Sequence, residues 1–148
     1  MEKDKALDEL LVNIFNNVMA AEEKIVITDE FKDLTMNDVH VIEAIGVDKP
    51  QTMTEISGKL GITMGTLTIS INSLVRKGYA VRTRGIKDKR IVYASLTDKG
   101  NAAYKVHQSY HKAMAAYVIN GLSDDEAAAL LKAMQVLQQF IDSEAPRS

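Results

Sequence analysis

Two short helical patterns separated by a glycine constrain this chain most. Residues 52–60 place Ile56 and Leu60 on one side, Gly61 interrupts the pattern, and Thr63 opens a second one that runs to about Lys77. Thr52-Met-Thr-Glu55 has the capping-box form, in which hydroxyl and carboxylate each satisfy an amide at the helix start. Thr63 supplies the hydroxyl of an N-cap. A helix, a glycine-centred turn and a second helix is the spacing of a helix-turn-helix. On the second helix Met64, Leu67, Ile71, Leu74 and Val75 form an apolar face. The opposite face, Gly65, Thr66, Thr68, Ile69, Asn72 and Ser73, is short, uncharged and rich in hydroxyls. It lacks the Glu/Lys pairs of an ordinary solvent-facing helix. Small polar residues let a helix backbone approach another surface closely, and Thr and Asn hydrogen-bond base edges or contact a thymine methyl. Hydroxyl-rich helices also pack in cores, so this segment alone leaves both uses open.

The residues that follow shift the balance. Gly78 ends the helix, residues 79–84 alternate as a strand, residues 85–89 form a charged turn, and residues 91–96 alternate again. Residues 76–90 hold seven cations, Arg76, Lys77, Arg82, Arg84, Lys87, Lys89 and Arg90, against one acid, Asp88, so the window carries +6 in a chain of formal charge −2. A cationic β-hairpin directly after a helix-turn-helix predicts a winged helix. Its Arg and Lys would neutralise phosphates while the preceding helix enters the major groove.

The flanks read as helices. Leu7, Leu10, Leu11, Ile14, Phe15, Val18 and Met19 recur at steps of three and four, giving a wide apolar stripe. Thr35-Met-Asn-Asp38, a weaker capping signal, opens a helix around Val39, Ile42 and Ile45 that Gly46 and Pro50 bring to an end. Thr97 caps a long helix to about Asn120. After Gly121, Ser123-Asp-Asp-Glu126 opens a last helix striped by Ala127, Leu130, Leu131, Met134, Leu137, Phe140 and Ile141. These helices are more apolar than a 148-residue monomer easily buries, so they predict a homodimer interface. The expected fold is mainly α with a small β-wing (α+β). A winged helix-turn-helix at 35–97 sits between the two parts, 1–34 and 98–148, of a helical dimerisation region. A helical interaction module with no DNA role is the alternative of another class, and it predicts that the wing cations are dispensable.

Other classes are excluded. There is no cysteine, which removes disulfides, thiol chemistry and Cys-ligated zinc. No apolar run approaches the ~18 residues of a membrane span, and the charged N-terminus lacks the apolar core of a secretory signal. The expectation is a soluble, cytoplasmic chain with no membrane partner. No Gly-rich phosphate loop or nucleophile-elbow serine points to an enzyme.

The run Asp88-Lys-Arg90-Ile-Val-Tyr-Ala-Ser-Leu96-Thr97-Asp-Lys-Gly100 resembles the wing signature of the MarR family of transcriptional regulators, Asp-x-Arg followed by Leu-Thr-x-x-Gly. Leu74, Lys77-Gly78-Tyr79 and the helix order extend the resemblance over nearly the whole chain. It implies a winged-helix homodimer on a palindromic operator. It also assigns Arg90 to the minor groove, where a narrow groove concentrates negative potential, and Asp88 to orienting that arginine. The expected DNA contacts are Thr63, Gly65, Thr66, Thr68, Ile69 and Asn72 on the recognition helix. On the wing they are Arg82, Arg84, Lys87, Asp88, Lys89 and Arg90. The family often has an arginine on the recognition helix; here none precedes Arg76, so groove shape is expected to carry more of the specificity. Within the family, Ile14-Phe-Asn-Asn-Val18, Glu22-Glu23, Phe31-Lys-Asp33, Ile45-Gly46, Gly65-Thr66 and His111-Lys-Ala-Met114 resemble the fatty-acid-synthesis repressor branch of Gram-positive bacteria. That branch implies long-chain acyl–acyl carrier protein as co-repressor.

The chain has three histidines. His107 and His111 are four apart on one helix face, the spacing of a two-histidine metal site. Zinc-responsive repressors of the same family take ligands from positions matching Glu22, His40, His107 and His111, and three nitrogens with a carboxylate complete a tetrahedral shell. The other quoted segments fit the lipid branch better. On that reading no cofactor is required, and the histidines bond across helices or line an effector pocket walled by residues 39–45 and 102–114. The operator, the genes governed, the effector and the direction of its effect stay open in the sequence.

Overall fold

The computed structural model describes residues 2–144. The chain divides into two compact units, Met1–Tyr110 and His111–Ser148. The first contains helix α1 (Glu2–Val26), a single 3-10 turn (Asp29–Phe31), α2 (Met36–Ile45), strand β1 (Gln51–Thr52), α3 (Met53–Leu60), α4 (Met64–Lys77), β2 (Ala80–Arg84), β3 (Val92–Leu96) and the start of α5 (Asp98–Asn120). The three strands form an antiparallel sheet in the order β1-β3-β2. β2 and β3 are the expected hairpin, with Ala80 opposite Leu96 and Arg84 opposite Val92. β1, which pairs Gln51 with Ala94 and Thr52 with Tyr93, was not expected. It is only two residues long, and Thr52 reads in sequence as a helix cap.

Thr52 does both: it ends β1, and its hydroxyl accepts from Glu55 N at 3.1 Å to start α3. Among the described residues that is the half of the box that is made. The weaker signal at Thr35 is the complete box, with Asp38 N donating to the Thr35 hydroxyl and Thr35 N donating to Asp38 Oδ2. Asp38 is buried, and Lys77 Nζ donates to the same Oδ2 at 2.8 Å, so the cap is held from α4 as well as locally.

Gly61, in the left-handed region at φ 65°, turns α3 into α4. The core is assembled from Val39, Ile42 and Ile45 of α2, Ile56 of α3, Leu67, Ile71 and Leu74 of α4, and Tyr79 and Ala94 beside the sheet, with Val26 and Phe31 closing one side. Burying each of these larger apolar side chains contributes about 1.5–3 kcal/mol. The buried stripe of α4 departs from expectation at one position. Met64 is 43% exposed, and Ser70 is buried in its stead, its hydroxyl accepting from Asn37 Nδ2 at 3.2 Å.

The Leu-Thr-x-x-Gly segment locks the wing to the helices. Thr97 N donates to Tyr79 O at 3.0 Å, the Thr97 hydroxyl donates to Gly78 O, and Gly100 N donates back to that hydroxyl. Gly100 lies so close to the Tyr79 carbonyl that a Cβ there would stand 2.1 Å from its oxygen, so only glycine fits. The Tyr79 hydroxyl donates to Asp33 Oδ1 at 2.6 Å, and Lys99 lies over the Tyr79 ring. That hydrogen bond, together with the nearby Lys99 charge, holds the Asp33 carboxyl below its usual range, while burial and Asp33 push the Tyr79 phenol up.

The second unit holds the rest of α5, a break at Gly121 and α6 (Asp124–Glu144). Ser123 and Glu126 form the expected reciprocal cap, which holds the Glu126 carboxyl below its usual range. Leu131, Met134, Phe140 and Ile141 of α6 are exposed, as are Leu7, Leu10, Ile14 and Phe15 of α1 in the first unit. Among the described residues no helix is long and apolar enough to cross a membrane.

Candidate nucleic-acid interface

From Ile56 through Lys87 the chain contains no carboxylate, and this stretch supplies the end of α3, the whole of α4 and the first arm of the wing. The exposed ridge of α4 is Gly65, Thr66, Ile69 and Arg76, with Thr68, Asn72 and Ser73 half-buried beside it. Its start is organised by hydroxyls. Thr66 N donates to Thr63 Oγ1 at 3.2 Å, and that hydroxyl donates on to Thr66 Oγ1 at 3.0 Å. Thr68 Oγ1 donates to Met64 O at 2.8 Å, so its proton is directed back to the helix backbone. Arg82 of β2 donates to Asn72 Oδ1, so wing and helix are joined at the exposed surface.

On the wing Arg82, Arg84, Lys87, Lys89 and Arg90 are all exposed. The hairpin end is tight: Gly85 N donates to Ile91 O at 2.8 Å, and a Cβ on Gly85 would stand 2.4 Å from Asp88 O. Asp88 grips Arg90 with a two-pronged fork, accepting from Nε on Oδ1 and from Nη2 on Oδ2, each at 3.0 Å. Its Oδ1 also accepts from the Arg90 backbone N–H. The fork holds the Asp88 carboxyl below its usual range and raises the Arg90 guanidinium. Arg90 is nonetheless 91% exposed, a guanidinium aimed at solvent on a fixed stem. Between wing and helices lies a cleft of about 590 Å³ lined in part by Met53, Met64, Thr68, Arg82 and Arg90. Donor-rich, short-side-chain and cationic, this face suits a polyanion carrying hydrogen-bonding edges.

The remaining expected site residues separate. Glu22 of α1 and His107 of α5 meet directly through Glu22 Oε1 and His107 Nε2, and both are buried. The other ring nitrogen, Nδ1, bonds Glu43 Oε2 of α2 at 2.8 Å. Gln108 Nε2 donates to Glu43 Oε1 and to the Tyr104 hydroxyl, each at 2.9 Å. Sequence reasoning missed Glu43; the signal was an acid inside the apolar α2, one turn from His40. His40 is exposed and stands apart from the ligand atoms gathered around Glu22 and His107. His111 follows one turn after His107 on α5. Of the expected ligand set, Glu22 and His107 lie together and His40 stands outside the group, while Glu43 holds the second ring nitrogen of His107 as a carboxylate does behind a metal-ligating histidine.

A helix-turn-helix followed by a short cation-bearing hairpin defines a winged-helix DNA-binding protein. The sequence profile of the MarR family matches residues 32–91. The transcriptional regulator SarZ of Staphylococcus saprophyticus is 36% identical over 101 residues, 67% of this chain and 68% of SarZ. YkoM of Bacillus subtilis, a helix-turn-helix regulator, is 38% identical over 91 residues, which span 62% of this chain and 59% of YkoM, under two thirds of its length. Among solved structures, FabT of Streptococcus pneumoniae in complex with DNA superposes with a TM-score of 0.88 at 38% identity, covering 95% of this chain and 99% of FabT. The chain belongs to the MarR family: it is a DNA-binding transcriptional regulator, and its relatives are regulators rather than enzymes.

Proposed function

We propose that this chain is a homodimeric repressor of fatty-acid-synthesis genes with long-chain acyl–acyl carrier protein as co-repressor. The observation that carries the reading is the near-complete match to FabT in complex with DNA, to which the branch-like segments of the sequence add support. In this reading residues 35–97 hold the operator: α4 lies in the major groove and the Asp88-oriented Arg90 enters the minor groove. Thr63, Gly65, Thr66, Thr68, Ile69 and Asn72 face bases or phosphates, while Arg82, Arg84, Lys87 and Lys89 follow the backbone. Residues 1–34 and 98–148 pair two copies, which would cover the exposed apolar residues of α1 and α6. Two half-sites of a palindromic operator would then lie one helical turn apart, about 34–36 Å. The effector would act where α1, α2 and α5 meet at His107, whose present carboxylate partners must part for a ligand headgroup to reach the ring.

A zinc-responsive repressor is the second reading, favoured by the direct Glu22–His107 contact and by Glu43, which orients the ring through its other nitrogen, and opposed by exposed His40. One titration separates the two: fluorescence anisotropy on a fatty-acid-synthesis promoter duplex at fixed salt, with a chelator, with and without long-chain acyl–acyl carrier protein. Tighter binding with the acyl carrier supports the lipid reading. No change with the acyl carrier, followed by a response when zinc replaces the chelator, transfers the effector role to the metal. No binding to the duplex in any arm removes the fatty-acid assignment.

A further inference from the structure

The exposed ridge of α4 presents a methyl surface at its centre. Ile69 is 73% exposed midway along a 14-residue helix whose opposite side, Leu67, Ser70, Ile71 and Leu74, is buried. The polar groups around it use hydrogen-bonding capacity inside the protein. The Thr68 proton goes to Met64 O, the Thr63 and Thr66 hydroxyls bond each other, and Asn72 Oδ1 accepts from Arg82. A single exposed isoleucine is ordinary on a protein surface, so exposure by itself carries nothing. Its position does: it stands at the middle of the helix in a stretch with no carboxylate from residue 56 to 87. The apolar group that a base pair displays in the major groove is the C5-methyl of thymine. A β-branched side chain in a helix is held close to one χ1 rotamer, so it meets such a methyl with little loss of freedom.

We infer that Ile69 is a specificity-determining residue that reads a thymine through its C5-methyl. The assignment rests on α4 docking in the major groove, as proposed above, and it gives the helix a sequence preference without an arginine.

The test uses the full chain and duplexes that it selects from a random-sequence pool. Each thymine of the selected duplex is replaced in turn by deoxyuridine, which removes one methyl and leaves the Watson–Crick pair intact. At one thymine of each half-site the change should weaken wild-type binding by about fourfold, and by about fifteenfold when both half-sites are changed, the effect of one buried methyl each. Ile69→Ala should bind the thymine and deoxyuridine duplexes equally, and Ile69→Val should retain part of the discrimination. A duplex in which no thymine methyl matters would overturn the assignment. So would a methyl dependence that persists in Ile69→Ala, since groove shape would then be the cause. A selection that yields no preferred duplex would instead overturn the docking reading, and this assignment with it. Ile69 is largely exposed, so an unchanged thermal midpoint in Ile69→Ala would confirm that the fold is intact.

Discussion

Asp88 tests the wing by sign rather than by size. It is the one carboxylate in a strongly cationic hairpin, so a view of the wing as a patch of charge makes its removal favourable for DNA binding. At about 10 Å from a phosphate in water, deleting one negative charge gains about twofold in affinity, and screening at physiological salt reduces this to a few tens of per cent. The structure argues the other way. Asp88 accepts three hydrogen bonds from Arg90, two from the guanidinium and one from the backbone N–H, and so fixes a side chain that is otherwise 91% exposed.

Without Asp88 the arginine must be ordered at the moment of binding. Immobilising one such side chain lowers affinity by about two- to twelvefold, and by about five- to 150-fold for the two wings of a dimer. Asp88→Ala should therefore weaken binding despite making the wing more positive. Asp88→Asn, which keeps an acceptor for the backbone N–H, should fall between wild type and alanine. Anisotropy at two salt concentrations reads both effects, and circular dichroism checks the fold. Equal or tighter binding by Asp88→Ala would refute orientation and leave only charge.

Three other perturbations probe the same architecture. Gly100→Ala places a Cβ 2.1 Å from Tyr79 O and 3.1 Å from Leu96 Cβ. Overpacking of this kind costs about 1–3 kcal/mol, so the thermal midpoint should fall by several degrees, and an unchanged midpoint would show that α5 shifts freely away from the wing. Lys87→Ala should lower the salt dependence of operator binding by about one phosphate contact per wing while leaving sequence preference unchanged; an altered preference would place Lys87 at a base edge. Tyr79→Phe removes the hydroxyl donated to Asp33, at a cost of about 1 kcal/mol once the partial exposure of that carboxylate is allowed for. Because the folded-state pKa of Asp33 lies below its ordinary 3.8, the stabilisation is complete above that value and is lost as pH falls through the lowered one. The stability gap between wild type and Tyr79→Phe should thus stay level from pH 8 to about 5 and narrow below about 4. A gap constant down to pH 2 would locate the effect of Tyr79 in packing.

What the sequence conveys about this molecule follows from the range of each interaction. The hairpin follows from alternation and the turns from glycines whose neighbours are adjacent in the chain, so both can be read directly, while the forked pair Asp88 and Arg90 is implied by the resemblance of the wing signature. The buried side of α4 cannot be settled that way. At about 100° per residue, Met64 and Ser70 flank Leu67 at equal angles on opposite sides, and periodicity gives little reason to choose between them. Hydrophobicity favours Met64; the structure buries Ser70, because Asn37 of α2 reaches across to satisfy its hydroxyl. The Thr35 cap is stronger than its local spelling for the same kind of reason: Lys77, 39 residues later, holds its aspartate. The histidines are the extreme case. A pair spaced by four on one helix suggests a metal, but it is blind to the carboxylates that meet His107, Glu22 of α1 and Glu43 of α2, 85 and 64 residues away. Spacing along a single helix says that two imidazoles share a face; what meets that face is decided by the other helices packed against it.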